Sequence, residues 1–168
     1  GQLAGISSPV QISGSWIRSF KNKSASRGAS KTIGTLWTWG DNDHGALGLN
    51  DALHRSSPTQ VPGTTWAWGQ IDANNSIATK TDGTLWVWGK NSAGTLGQSQ
   101  AYAQLAVKSS PAQIGSGTDW KLTPSYGNIT GSSYQFAAIK TDGTLYTWGY
   151  NRFGALGQSE GSNAHKSS

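Results

Sequence analysis

Cysteine is absent from all 168 residues. That excludes a disulfide framework and any thiolate metal site, and leaves the redox compartment unreadable. Methionine is absent as well, and a single glutamate occurs, Glu160. Long helices draw on Ala, Leu, Glu and Lys, so this shortage argues against a helical fold. Charged residues are only 12% of the chain. No apolar run approaches the roughly 18 residues of a membrane span, and no signal-peptide pattern opens the sequence. The net charge of +5 reflects scarce acids more than plentiful bases. Lys21, Lys23, Arg27 and Lys31 form the one local basic cluster, which is shorter than the stripe a nucleic-acid surface uses.

Aromatic side chains and glycine are abundant instead: nine Trp, five Tyr, three Phe and 23 Gly. Disordered chains are poor in aromatics, so this composition indicates a packed core. The glycines, with many Ser, Thr and Asn, indicate frequent turns, and together these features predict an all-β fold.

The chain repeats itself. Gly34-Thr35-Leu36-Trp37-Thr38-Trp39-Gly40 returns as Gly83-Thr84-Leu85-Trp86-Val87-Trp88-Gly89 and as Gly143-Thr144-Leu145-Tyr146-Thr147-Trp148-Gly149. After each copy comes an Asn (Asn42, Asn91, Asn151) and then Gly-x-Leu-Gly, beginning at Gly45, Gly94 and Gly154. Ser-Ser-Pro follows at Ser56-Ser57-Pro58 and Ser109-Ser110-Pro111, with an earlier copy at Ser7-Ser8-Pro9. Gly34 and Gly83 are 49 residues apart, Gly83 and Gly143 are 60 apart, and the surplus falls within 99–108 and between Trp120 and Tyr134. Insertions confined to loops are what stacked β units tolerate.

Each repeat reads as four short strands. The first lies near Trp16, Trp66 or Trp120, and the second carries Ala29, Ala78 or Ala138 and ends in Lys-Thr. The third is the Leu-Trp-x-Trp run, whose two faces are both largely apolar, as suits a strand buried on both sides. The fourth begins with proline: Pro9–Ile12, Pro58–Val61 and Pro111–Ile114. A proline at the first residue of a strand costs little. Asp82-Gly83 and Asp142-Gly143 predict two-residue hairpin turns with positive φ, whereas Ile33-Gly34 is a poorer turn.

The run Lys-Thr-Asp-Gly-Thr-Leu-Trp-x-Trp-Gly-x-Asn-x-x-Gly-x-Leu-Gly, followed by Ser-Ser-Pro-x-Gln-[Ile/Val], resembles the regulator of chromosome condensation repeat. It is clearest over 80–97 and 140–157, and the likeness extends over essentially the whole chain. A kelch repeat would show a Gly-Gly doublet, and a WD repeat would be shorter and carry Trp-Asp. The resemblance implies a β-propeller of four-stranded antiparallel blades, about three of them present here as a partial propeller. Expected boundaries are 1–12 for the end of a preceding blade, then about 13–61, about 62–114 and about 115–168, the last incomplete. A ring takes roughly four to eight blades. The chain therefore reads as a segment of a longer repeat protein whose next residue is proline, or as a subunit of which several copies complete a ring.

No constellation for catalysis stands out. His44, His54 and His165 read as surface-loop histidines without metal spacing. Asp41 and Asp43 form Asp-x-Asp but lack the later bidentate Glu of a calcium loop, so they read as turn residues. No catalytic residue, cofactor or metal is expected. Binding should use positions that vary between repeats: the loop tips Asp43-His44, Ser92-Ala93 and Arg152-Phe153, and Tyr102 and Leu105 in the longer loop.

Founding eukaryotic members of the family bind chromatin and exchange nucleotide on a small GTPase; others are secreted inhibitors, or repeat proteins of bacteria and phage particles. The low charge and near-identical repeats look most like the bacterial and phage members. The expectation is a non-enzymatic structural or binding protein that presents loops to a protein or glycan partner, as a phage virion (tail or capsid-associated) or bacterial extracellular component. The alternative is a guanine-nucleotide exchange factor or chromatin-binding propeller, which would bind DNA in a salt-sensitive way.

Overall fold

A computed structural model describes residues 8–21, 25–32, 34–72, 74–98, 107–122, 129–131 and 134–158. The first sheet is a meander of β1 (Trp16–Lys21), β2 (Arg27–Lys31), β3 (Leu36–Gly40) and β4 (Arg55–Gln60). The second repeats it with β5 (Trp66–Ile71), β6 (Asn75–Lys80), β7 (Leu85–Lys90) and β8 (Val107–Gln113). The third holds β9 (Ile129–Gly131), β10 (Gln135–Ile139) and β11 (Leu145–Gly149). Every pairing is antiparallel. These are the expected propeller blades.

The third blade breaks its first strand in two. Trp120 bridges Lys140, matching Trp66 opposite Lys80, while β9 pairs farther along β10. The insertion between Trp120 and Tyr134 thus interrupts a strand.

Two local expectations need correction. Asp82 and Asp142 keep negative φ; only Gly83 and Gly143, at φ 82° and 93°, are left-handed. Gly83 N donates to Lys80 O at 3.0 Å, and Lys80 N to Thr84 O at 3.0 Å. The hairpin loop therefore has three residues, the last a left-handed glycine. The aspartate works through its side chain: Asp82 Oδ1 accepts from Thr84 N at 3.0 Å and Thr84 Oγ1 at 2.6 Å. In the first blade Lys31 and Gly34 make the same closure, so the loop does not depend on aspartate.

The second correction concerns proline. Pro58 and Pro111 sit inside β4 and β8, where the register against the third strand shifts. Ser56-Ser57-Pro58 and Ser109-Ser110-Pro111 are bulges on edge strands, where a missing N–H breaks no ladder. Pro9–Ile12 joins no sheet.

Apolar clusters glue the sheets face to face. Leu36 of the first blade packs with Val61, Trp66, Ile71, Ala78 and Trp88. Leu85, Val87 and Leu96 of the second pack with Trp120, Phe136 and Trp148. Trp88 is fully buried, and burial of one such ring stabilises by about 3 kcal/mol or more. The alternating faces of β7 thus serve two neighbours: Trp86 and Trp88 turn to the first blade, Leu85 and Val87 to the third.

Candidate functional site

The loops that follow the third strands are built alike. The Asn of each Trp-Gly-x-Asn run is buried, and its Oδ1 accepts the amide of the Leu five residues on: Asn42 from Leu47 at 2.9 Å, Asn91 from Leu96 and Asn151 from Leu156, both at 3.0 Å. This bond curls the loop and places its Leu in the core. Thr38 and Thr147 tie the same loop from the strand, donating to Leu47 O and Leu156 O at 2.8 Å. Val87 has no hydroxyl for that role, and in its blade Thr95 Oγ1 donates to Lys90 O at 3.0 Å.

One lysine per blade lies between two aromatic rings. Lys31 Nζ is 4.7 Å from the Trp16 ring centre and 4.2 Å from that of Trp37. Lys80 lies 5.0 Å from Trp66 and 3.8 Å from Trp86. Lys140 lies 5.4 Å from Trp120 and 5.2 Å from Tyr146, and also pairs with Asp119 at 3.1 Å. The Asp119 hydrogen bond holds the Lys140 ammonium above its ordinary pKa. Such cation–π contacts are structural: they tie the end of the second strand to the first and third.

The positions that vary between repeats differ in exposure. Asp43 is exposed and His44 half-buried. Arg152 stacks on Phe153 at 4.7 Å, and the Phe153 ring is 84% exposed on a left-handed backbone of φ 58°. A bulky residue rarely takes that conformation. Its counterpart Ala93 has φ 56° but is buried, next to the third blade. Tyr102 and Leu105 fall outside the described residues.

The RCC1 repeat family, the regulator of chromosome condensation repeat, matches residues 34–67 and 142–168. Over those two stretches the chain is similar to the RCC1 repeat.

Solved structures share this fold. Human WBSCR16 superposes with a TM-score of 0.64 at 18% identity, over 84% of this chain and 34% of its own. Prp20p from Saccharomyces cerevisiae, described with its binding to Gsp1p and histones, gives 0.65 at 17% identity, over 84% and 35%. Yeast RCC1 (Prp20) with Kap60 bound gives 0.64 at 18%, over 84% and 34%. The chain spans about a third of the length of these structures.

Sequence reasoning missed one arrangement. His54 folds back onto Asp41 and Asp43, its Nδ1 3.3 Å from Asp41 Oδ1 and its Nε2 3.6 Å from Asp43 Oδ1. The Asn42 amide donates to Nδ1 at 3.0 Å, and Asn42 Nδ2 donates to Asp51 O and Leu53 O. These three residues are the one potential metal-ligand group among those described. With Nδ1 accepting the Asn42 amide, its approach to Asp41 is not a hydrogen bond, and it is the Asn42 amide that holds the imidazole across the loop base. Sequence spacing gave no hint of it, since the loop's own fold closes the gap between Asp43 and His54. Nearby, the Leu53 amide holds the Asp51 carboxyl below its ordinary pKa against the opposing effect of burial, with Arg55 adding to the lowering.

Proposed function

We propose that this chain is a non-enzymatic binding module, an RCC1-repeat propeller sector whose rim loops engage a protein partner. One observation carries the reading. The recurring Asn, Lys and Trp side chains are bonded inside or between blades, whereas Asp43, Arg152 and Phe153, which differ from repeat to repeat, are exposed, although the equivalent Ala93 of the second repeat is buried. An Arg stacked on an exposed Phe is the composition that interfaces favour. In composition the repeats suit a phage virion or bacterial extracellular component. In that setting the chain should co-purify with particles or cell surface in fixed stoichiometry.

The test is affinity capture from the source organism with the wild-type chain and with a variant combining Asp43→Ala, His44→Ala, Arg152→Ala and Phe153→Ala. A partner held by the wild type and lost by the variant supports the reading. A partner retained equally by both overturns the rim assignment.

The likeness to Prp20p, whose description includes binding to Gsp1p and histones, favours a second reading as an exchange factor or chromatin binder. Accelerated nucleotide release from a Gsp1p-type GTPase, or salt-sensitive histone or DNA binding, would select it.

A further inference from the structure

The linker into the third blade is one residue longer than the linker into the second. Val61 and Ile114 start the two linkers alike, each donating its amide at 2.8 Å to the third-strand leucine, Leu36 or Leu85. Trp66 lies five positions after Val61, but Trp120 lies six after Ile114. In the shorter linker the indole is satisfied locally. Trp66 Nε1 donates to Pro62 O at 3.1 Å, and Trp16 Nε1 makes the same bond to Ile12 O at 3.2 Å. Trp120 is buried nearly as deeply as Trp66, 6% against 3% exposed, yet its Nε1 has no partner.

A second polar atom is orphaned beside it. Asp119 takes the place of Thr65: its backbone oxygen accepts Thr141 N at 2.8 Å, as Thr65 O accepts Thr81 N at 2.7 Å. Asp119 Oδ2 pairs with Lys140 Nζ at 3.1 Å, while Oδ1 is buried without a partner. Both orphans and the ammonium converge beside Gly117. A Cβ built there would lie 2.9 Å from Asp119 Oδ1, 3.7 Å from Trp120 Nε1 and 3.8 Å from Lys140 Nζ. Glycine leaves that point free of any side chain. The linker and Trp120 lie in the joint where the third blade meets the second, not on a face that ends the stack.

Donor and acceptor rules decide what fits. An indole N–H and an ammonium only donate, and an ionised carboxylate only accepts. An anion would face Asp119, and a cation would face Lys140. An apolar group would leave both orphans buried and unpaired, which is costly for each. A hydroxyl accepts and donates at once, so it satisfies both. The walls beside it are aromatic, the Trp120 ring standing edge-on to Tyr146 at 5.3 Å between centres. A sugar offers hydroxyls in one direction and an apolar C–H face in another. We propose that this linker is a saccharide-binding seat. Trp120 Nε1 and Lys140 Nζ donate to a sugar hydroxyl, and that hydroxyl donates to Asp119 Oδ1. The seat lies by the hairpin between second and third strands, at the opposite end of the third strand from the rim loops. It therefore goes beyond the protein-binding reading and stands or falls separately from it.

The indole N–H signals in proton–nitrogen NMR test this. Trp120→Phe removes one of the nine indole signals and so assigns it. Glucose, galactose, mannose and N-acetylglucosamine are titrated separately into the millimolar range. At least one should move the Trp120 signal along a saturable curve. Gly117 is not among the left-handed glycines, so Gly117→Ala should fold, as circular dichroism would show. Its Cβ crowds Asp119 Oδ1 off the seat and should weaken binding by about 10-fold or more. Lys140→Met keeps the stem, removes one donor and should weaken binding as well. A Trp120 signal that none of the four sugars moves overturns the proposal. So does a signal that shows contact with water alone, which marks an ordered water in the seat. A saturable shift that both Gly117→Ala and Lys140→Met leave unchanged puts the sugar elsewhere and also overturns it.

Discussion

The indole Nε1 of Trp88 donates to the carbonyl of Ala46 across 42 residues of sequence, at 2.7 Å and fully buried. Ser76 Oγ donates to the same oxygen at 2.8 Å. Two strands of the second blade are thereby pinned to one loop of the first. Gly48 lies beneath the indole, where a side chain would collide with Nε1.

Trp88→Phe should keep most of the ring but lose the donor. Ser76 still satisfies Ala46 O, so the cost should be about 1–3 kcal/mol, rising to about 3–5 kcal/mol for Trp88→Ala. Urea unfolding followed by circular dichroism would measure both, and equal stability of wild type and Trp88→Ala would refute the packing role.

Glycine should matter by position. Gly48 and Gly115 both have positive φ, 72° and 58°, but a Cβ on Gly48 meets Trp88 at 2.8 Å whereas none lies near Gly115. Gly115→Ala should cost about 1–2 kcal/mol from backbone strain alone. Gly48→Ala should cost about 1–3 kcal/mol more, because the indole must shift. Thermal or chemical denaturation of the two variants side by side decides it.

The lysine between Trp66 and Trp86 should respond to charge and stem separately. Lys80→Met keeps the stem and removes the ammonium, for an expected loss of about 1 kcal/mol. Lys80→Ala should lose more, since the stem also covers ring surface. Identical midpoints for wild type and Lys80→Met in urea would show that the cation contributes nothing.

Acid should unfold the chain partly through its hairpin aspartates. Thr84, first through its hydroxyl and then its amide, holds the Asp82 carboxyl below its ordinary pKa; for Asp142 the Thr144 amide leads. A folded pKa below the unfolded one gives stability that is present above the unfolded value and lost as pH falls through the folded one. The loss should therefore fall below about pH 4. Asp82→Asn keeps an acceptor for Thr84 and should flatten that limb, whereas Asp82→Ala should destabilise at neutral pH too. Unchanged acid sensitivity of Asp82→Asn in a pH series of urea midpoints would count against this assignment.

Much of the fold was legible because the repeats place each residue type three times in equivalent surroundings. Trp in register with the strands identified the core, and Asn with Gly-x-Leu-Gly located the loops. Two features were misread for a common reason. Asp82-Gly83 and Ser-Ser-Pro look the same on paper whether the hairpin loop holds two residues or three, and whether proline opens a strand or sits in a bulge. Cross-strand register makes that choice, and register belongs to the sheet. The rim was legible only as a set of variable positions, since nothing in the run from Asp41 to His54 indicates that the imidazole returns to both carboxylates.

The sequence by itself determined the repeat, the strand order and the division between architectural and variable residues, because all three follow from local patterning with a fixed period. Only the tertiary structure decided which face of each blade meets which neighbour and where the lysines lodge. Those outcomes depend on contacts between residues some forty to sixty positions apart, such as Trp88 with Ala46 and Trp148 with Thr95. Such contacts exist only once the sheets have stacked.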